Sequence, residues 1–294
     1  MQALPSSGMS DVFVTNHFSR LFTLVKGAFS PPPGQRRIML ALAAGILCHS
    51  IFAAAVLSMV VAMFFGLSLG LGRVPWPWGF IANAALIVQF PLGHSLLLTT
   101  RGRKWLARII PGAYGATLST TTYAIIASLQ LLVLFVLWTP SGIIFWQAEG
   151  WAFWMLCSCY AAAWLVLGKA SFDAGLEVQS GGLGWLSLLQ NIKPVFPDMP
   201  QGGLFRFIRQ PIYVAFALTL WTVPVWTPDQ LVLAISYTAY CLLAPRLKER
   251  RFAAFYGDRF MAYQVRVPYA CPHIPNIRHK SDDLTKLNKN SELL

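Results

Sequence analysis

Six stretches of this chain run without a single Asp, Glu, Lys or Arg: about 38–70, 76–99, 119–138, 151–168, 211–226 and 231–244. A charged side chain in hydrocarbon is expensive, and about 20 apolar residues cover the ~30 Å core of a bilayer as a helix. Composition agrees, since 56% of the residues are hydrophobic and 12% charged, against roughly a quarter charged in an average soluble domain. The expected fold class is therefore all-α: a polytopic membrane bundle of about six transmembrane helices. The first run is long enough to tilt or bend near its end. The last is short, and only Thr227-Pro228-Asp229-Gln230 separates it from the fifth, so the two read as a tight hairpin.

The net charge of +12 would suit nucleic acid or a membrane. Its distribution decides for the membrane and against nucleic acid. With the N-terminus inside, segments 1–37, 100–118, 169–210 and 245–294 carry four, four, four and ten Lys and Arg, leaving Arg73 as the one of 23 on the other side. That is the positive-inside pattern with both termini cytoplasmic. Trp76, Trp78, Trp138, Trp146, Trp151 and Trp226 stand near run ends, as an interfacial aromatic belt would place them. The chain thus divides into a cytoplasmic segment 1–37, a membrane domain 38–273 and a polar tail 274–294 expected to be disordered. Within the 169–210 segment, Leu183–Leu189 reads as an interfacial helix and Lys193–Pro197 as an extended connector. No secretory signal is visible. Of Cys48, Cys157, Cys159, Cys241 and Cys271, four lie in apolar runs and read as small buried hydrophobes. The Cys157-x-Cys159 spacing is not a zinc or redox signature, and no metal site is expected.

The polar groups that could carry chemistry gather by topology at the inner boundary. His94-Ser95 closes the second run, Arg209-Gln210-Pro211-Ile212-Tyr213 opens the fifth, and Lys248-Glu249-Arg250-Arg251 follows the sixth. The run Phe255 to Tyr263, containing Gly257, and then Val267-Pro268 come after it. A charged soluble cofactor and a membrane-dissolved substrate could meet there.

These residues resemble the C-terminal half of the isoprenylcysteine carboxyl methyltransferase and phospholipid methyltransferase superfamily. Its pattern is Arg-His-Pro-x-Tyr, a helical hairpin, Glu-Glu, and an aromatic-Gly-x-x-Tyr-x-x-Tyr run ending in Val-Pro. Upstream, His94-Ser95, Arg103-Lys104-Trp105, Ile110-Pro111, Tyr123, Trp138-x-Pro140, Trp146 and Phe172-Asp173 are similar to the bacterial methanethiol S-methyltransferases and their denitrification-associated membrane relatives. The resemblance covers roughly residues 80–272. It implies an integral protein of a bacterial inner membrane. It also implies S-adenosylmethionine as methyl donor, held by the half-domain at about 200–272, and a small or lipid-soluble acceptor, a thiol first of all. The implied cofactor-binding set is Arg209, Gln210, Pro211, Tyr213, Glu249, Gly257 and Tyr263. Arg209 would face the donor carboxylate and Glu249 its ammonium. Tyr213 and Tyr263 would offer aromatic faces to the adenine or the sulfonium. The implied catalytic set is His94, Arg209 and Tyr213, with His94 as base or orienting group.

Four positions depart from the pattern. Gln210 stands for the His, Lys248 for the first Glu, Ala215 for a Gly after the first box, and a residue near Thr120 for an Arg. Gln210 hydrogen-bonds but takes up no proton at neutral pH. Two other classes therefore stay open: a non-enzymatic accessory protein on the same fold, and a haem protein with His94 and His49 as axial pair. A phospholipid or isoprenylcysteine acceptor is also open. Plainer roles stand beside each assignment. Arg209, Lys248, Arg250 and Arg251 would serve as membrane anchors, Tyr213 and Tyr263 as belt residues. His49 and His94 would pack between helices, and Glu249 would make a local ion pair.

Overall fold

The computed structural model describes residues 17–75, 77–110 and 112–272. The tail from 274, residues 1–16 and Trp76 lie outside them. The described chain is helical apart from one two-residue strand pair. Helix α1 spans His17–Ala28, α2 Gln35–Phe64, α3 Trp78–Leu97, α4 Thr100–Ile109 and α5 Gly115–Val136. Then follow α6 Gly150–Asp173, α7 Leu176–Gln179, α8 Gly182–Leu189, α9 Pro211–Trp221, α10 Pro228–Tyr256 and α11 Asp258–Arg266. Strand β1, Trp146–Gln147, pairs antiparallel with β2, Val225–Trp226.

Five of these helices (α2, α3, α5, α6 and α10) are long and apolar enough to cross a membrane. Their outward faces carry large apolar side chains, with Ile46 70%, Leu165 75% and Trp151 77% exposed. In water such a surface would aggregate, whereas in lipid it faces its proper solvent. The fifth run behaves differently. Its helix α9 has 11 residues, roughly 16 Å of rise and about half the hydrocarbon thickness. The rest of that run unwinds into β2. The sixth run, short by composition, belongs to the 29-residue α10. Backbone hydrogen bonding continues through Lys248–Arg251, where the absence of charge ends but helix geometry does not.

Unwound backbone at membrane depth is tolerated only where its polar groups find partners inside the protein. Here they do. Gln230, fully buried, donates its amide to Leu220 O at 2.8 Å. The Thr227 hydroxyl donates to Gly66 O at 2.5 Å, while its oxygen caps α10 by accepting from Gln230 N at 3.0 Å. Asp229 accepts from Ser141 N at 2.9 Å and from the Ser141 hydroxyl at 2.5 Å. These bonds gather segments 65–72, 137–148 and 222–230 at one end of the bundle. Arg73, the isolated cation, is on that end.

Two reciprocal pairs join α3 to α5 and to the segment just after it. Gln89 Nε2 donates to Gln130 O at 2.8 Å and Gln130 Nε2 to Gln89 O at 2.9 Å. Asn83 Nδ2 donates to Thr139 O at 2.8 Å, and Thr139 N donates back to Asn83 Oδ1 at 3.0 Å. Interhelical amides of this kind add to van der Waals packing where the hydrophobic effect between helices is weak. The main core runs through Met63, Leu134, Trp138, Tyr160, Leu220 and Tyr237, and so ties α2, α5, α6, α9 and α10 together. Trp138 is accordingly 1% exposed and not a belt residue. Trp78, Trp146 and Trp151 are exposed as a belt requires. Cys48 and Cys241 are buried as expected, but Cys159 is exposed on α6.

Helix α8 corrects a second expectation. Its residues from Leu183 to Leu189 are buried save Trp185, and they pack on α2 and α5 instead of lying open at an interface. The reason is close approach at glycine. Gly181 holds φ +78°, and a Cβ there would lie 2.5 Å from Ala124 Cβ and 2.9 Å from Cys48 Sγ.

Two outcomes are expected. Gly181→Val should lower stability in detergent by at least about 2 kcal/mol, combining strain with overpacking, while Gly202→Ala, where nothing lies within 4 Å of the added Cβ, should leave the thermal midpoint unchanged. In a cysteine-free background, Arg73→Cys and Lys104→Cys should react with a membrane-impermeant maleimide from opposite faces; labelling from the same face would refute the positive-inside orientation.

Candidate functional site

At the basic end, the box Arg209-Gln210-Pro211 opens α9. Pro211 occupies the first helical turn, where no amide hydrogen is needed. The last segment of the described chain crosses this point: Arg209 N donates to Pro268 O at 2.9 Å and Gln210 N to Tyr269 O at 3.2 Å. Gly257, at φ +53°, makes the turn between α10 and α11 that allows the return. The chain therefore brings residues from three separate stretches onto one carboxylate.

That carboxylate is Glu249. Arg209 Nε and Nη2 reach its two oxygens at 2.9 and 3.4 Å in a forked geometry. Gln210 Nε2 donates to Oε1 at 2.8 Å and Gln264 Nε2 to Oε2 at 2.9 Å. Arg209 Nη1 is also used, donating to Gln264 O at 3.0 Å and Val267 O at 2.5 Å, and its guanidinium stands over the Tyr269 ring at 5.6 Å. Both ion-pair side chains are only 12% exposed. Arg209 is thus more than a membrane anchor, and Glu249 pairs with a residue 40 positions away. Lys248 turns to the aromatic side instead, 5.3 Å from the Phe252 ring centre and 5.7 Å from that of Phe205. Tyr263 is buried with its hydroxyl donating to Phe205 O at 2.7 Å. Burial pushes this phenol up to about 12, so it stays a donor. The crevice between Gln210, Lys248 and Tyr263 holds about 10 Å³, room for one water at most. Gln210 Oε1 is buried there without a partner.

A second group lies against α3. The Tyr123 hydroxyl sits 2.8 Å from His94 Nδ1 and 2.9 Å from Nε2. Phe90 packs on the His94 ring at 5.2 Å and on Tyr237 and Tyr240 at 6.2 and 6.4 Å. Ser95 hydrogen-bonds Tyr240. Tyr213, one turn along α9 from the Arg-Gln-Pro box, lies within electrostatic reach of Tyr240 in this group and of Tyr269 beside the knot. His49 is elsewhere: the Trp185 indole donates to its Nε2 at 3.1 Å and meets the ring edge-on at 5.8 Å. The lone pair an axial ligand needs is occupied by that bond, and the pairing of His49 with His94 around a haem finds no support in this geometry.

The sites expected from sequence thus divide. Arg209, Gln210 and Glu249 form an ionic knot, with Pro211 and Gly257 shaping the backbone around it. His94 and Tyr213 join the aromatic cluster. Gln264, Tyr269, Tyr240 and Phe90 belong to these groups and were not expected. Tyr240 and Phe90 look like ordinary apolar-run residues, and Gln264 like a solvated helix residue. The fold back of α11 gives Gln264 and Tyr269 their partners, and the approach of α3 to α10 gives Phe90 and Tyr240 theirs.

No protein-family model matches the chain, and no solved structure does. It is similar to the methanethiol S-methyltransferase of Pseudomonas sp. (strain GM41(2012)), at 29% identity over 200 residues, 68% of this chain and 75% of the relative. It is also similar to that of Mycobacterium tuberculosis (strain ATCC 25618 / H37Rv), at 27% identity over 65% of this chain and 78% of the relative. Nurim of Xenopus laevis shares 28% identity over 65% of this chain and 73% of its own length. These matches fit the isoprenylcysteine carboxyl methyltransferase-like family, and the relatives so named support a membrane methyltransferase.

Removing Arg209 leaves a mostly buried carboxylate with only neutral donors and frees two backbone carbonyls. Arg209→Ala should therefore cost about 3 kcal/mol and raise amide exchange across α11. Glu249→Gln, which keeps an acceptor oxygen, should cost less in the same hydrogen-exchange and thermal measurements.

Proposed function

We propose that this chain is a membrane-embedded methyltransferase that uses S-adenosylmethionine and methylates a small or membrane-soluble acceptor, a thiol such as methanethiol before others. The basic end then faces the cytosol of a bacterial inner membrane. The observation that carries the reading is the ionic knot of Arg209, Gln210, Glu249 and Gln264, adjoining through Tyr213 the cluster that holds His94. Similarity to proteins named methanethiol S-methyltransferase supports the same reading.

The residues suit the donor in kind. Arg209 offers a fork for a carboxylate and Glu249 a partner for an ammonium. In this structure the two are bound to each other, and the crevice beside them is far too small for a nucleoside. Donor binding then replaces a carboxylate by a carboxylate on Arg209 and a guanidinium by an ammonium on Glu249. Because charge is exchanged like for like, the main cost is displacement of the 267–269 strap and not desolvation. When bound, the donor supplies an electrophilic methyl on a sulfonium; the acceptor sulfur forms the new carbon–sulfur bond as the old one breaks. The protein's task is alignment and exclusion of water. In this reading His94, hydrogen-bonded to Tyr123, takes the thiol proton, and Tyr213 faces the cationic centre.

One observation favours a second reading. Every side-chain donor atom of the knot is already engaged internally, with Gln210 and Lys248 at two of the four departing positions, as a fold that has given up S-adenosylmethionine would be. A single experiment separates them. Labelled S-adenosylmethionine should bind the detergent-purified, folded protein in the micromolar range, and Glu249→Gln should weaken binding at least tenfold when measured well below its own, lowered thermal midpoint. Folded wild type without binding sinks the proposal, and binding gained only in Gln210→His/Lys248→Glu establishes the accessory reading. A panel of thiol, phospholipid and prenylated acceptors then names the substrate.

A further inference from the structure

Between α3 and α10 lies an open groove of about 700 Å³, apart from the ionic knot and bordered on one side by Ser95, Tyr237 and Tyr240 of the aromatic cluster. Its walls are helical stripes, with Val88 and Leu92 on α3 facing Leu243 and Leu247 on α10. Near one end stand Arg246 and Arg250, one turn apart and exposed. Arg246 lies beside Tyr269, whose hydroxyl donates to Leu242 O at 3.0 Å. Among the described residues Arg250 makes no ion pair.

We propose that this groove is a binding site for one anionic phospholipid of the leaflet on the basic side. Length supports it: from Ser236 to Leu247 the α10 wall rises roughly 16 Å, about half of the ~30 Å hydrocarbon core, one leaflet deep. The two arginines therefore stand at headgroup level when an acyl chain fills the groove. Charge supports it as well. Two guanidiniums one turn apart, neither in an ion pair among the described residues, fit a phosphodiester by forked hydrogen bonds, and basic pockets between transmembrane helices bind acidic headgroups for this reason. A zwitterionic lipid fills the groove equally but brings its own cation to the arginines. The site does not depend on the methyltransferase reading.

Native mass spectrometry of the intact chain with phosphatidylglycerol or phosphatidylcholine tests it. Phosphatidylglycerol should be retained at least tenfold more tightly. Arg246→Gln and Arg250→Gln should each weaken it roughly fivefold, and Leu92→Trp, which fills the groove, should abolish the bound lipid. Arg103→Gln, on α4, should change nothing, and thermal midpoints should confirm that every variant is folded. Equal retention of the two lipids, equal loss in Arg103→Gln, or no loss in the groove variants would reduce Arg246 and Arg250 to ordinary interfacial anchors and overturn the proposal. So would displacement of the lipid by millimolar glycerol phosphate, which would show that a free phosphate is read and the groove is not.

Discussion

Everything in this bundle depends on the rule that no backbone polar group can be left bare in hydrocarbon. Five helices meet it within themselves. The fifth run does not, since α9 stops after 11 residues and the chain turns into β2. The structure is possible because Gln230, Thr227 and Asp229 take the exposed carbonyls and amides of the neighbouring segments. The short helix in turn lets the Arg-Gln-Pro box sit at its start on the basic side while β2 closes the other end against β1.

Packing inside the bundle follows from the same solvent. Lipid tails compete with Leu and Val for apolar contact, so helices are joined where side chains are small or amides reciprocate. Gly181 and Gly184 let α8 slot against α2 and α5, with Thr121 accepting from Trp185 N at 3.0 Å. Gln89 and Gln130 clasp α3 to α5. By contrast α3 and α10 touch little, which leaves the groove open between them.

The ionic knot is the counterpart at the membrane boundary. Glu249 is placed by a helix that crosses the membrane, and Arg209 by the loop before α9. The strap that carries Gln264 and Val267 returns only because Gly257 turns the chain. A carboxylate with four side-chain bonds from three residues is both a structural tie and a ready set of partners for a zwitterionic amino-acid group.

The sequence by itself determined the solvent of this protein. Runs without charge, bordered by basic segments on one side, leave helices in a bilayer as the available solution, and the order of Arg209, Pro211, Tyr213 and Glu249 carried the family resemblance. Those signals are local, because they depend on spacing along one helix or on the sign of a loop. Only the tertiary structure decided that α9 is half a span, that Trp138 is core, that α8 is buried, and that Arg209 and Glu249 hold each other with Gln264 as a third partner. Those outcomes turn on contacts between residues tens of positions apart, such as Arg209 and Val267 or Gln89 and Gln130. No period in the chain encodes such a contact, because the free energy that selects it comes from satisfying polar groups across helices and not within them.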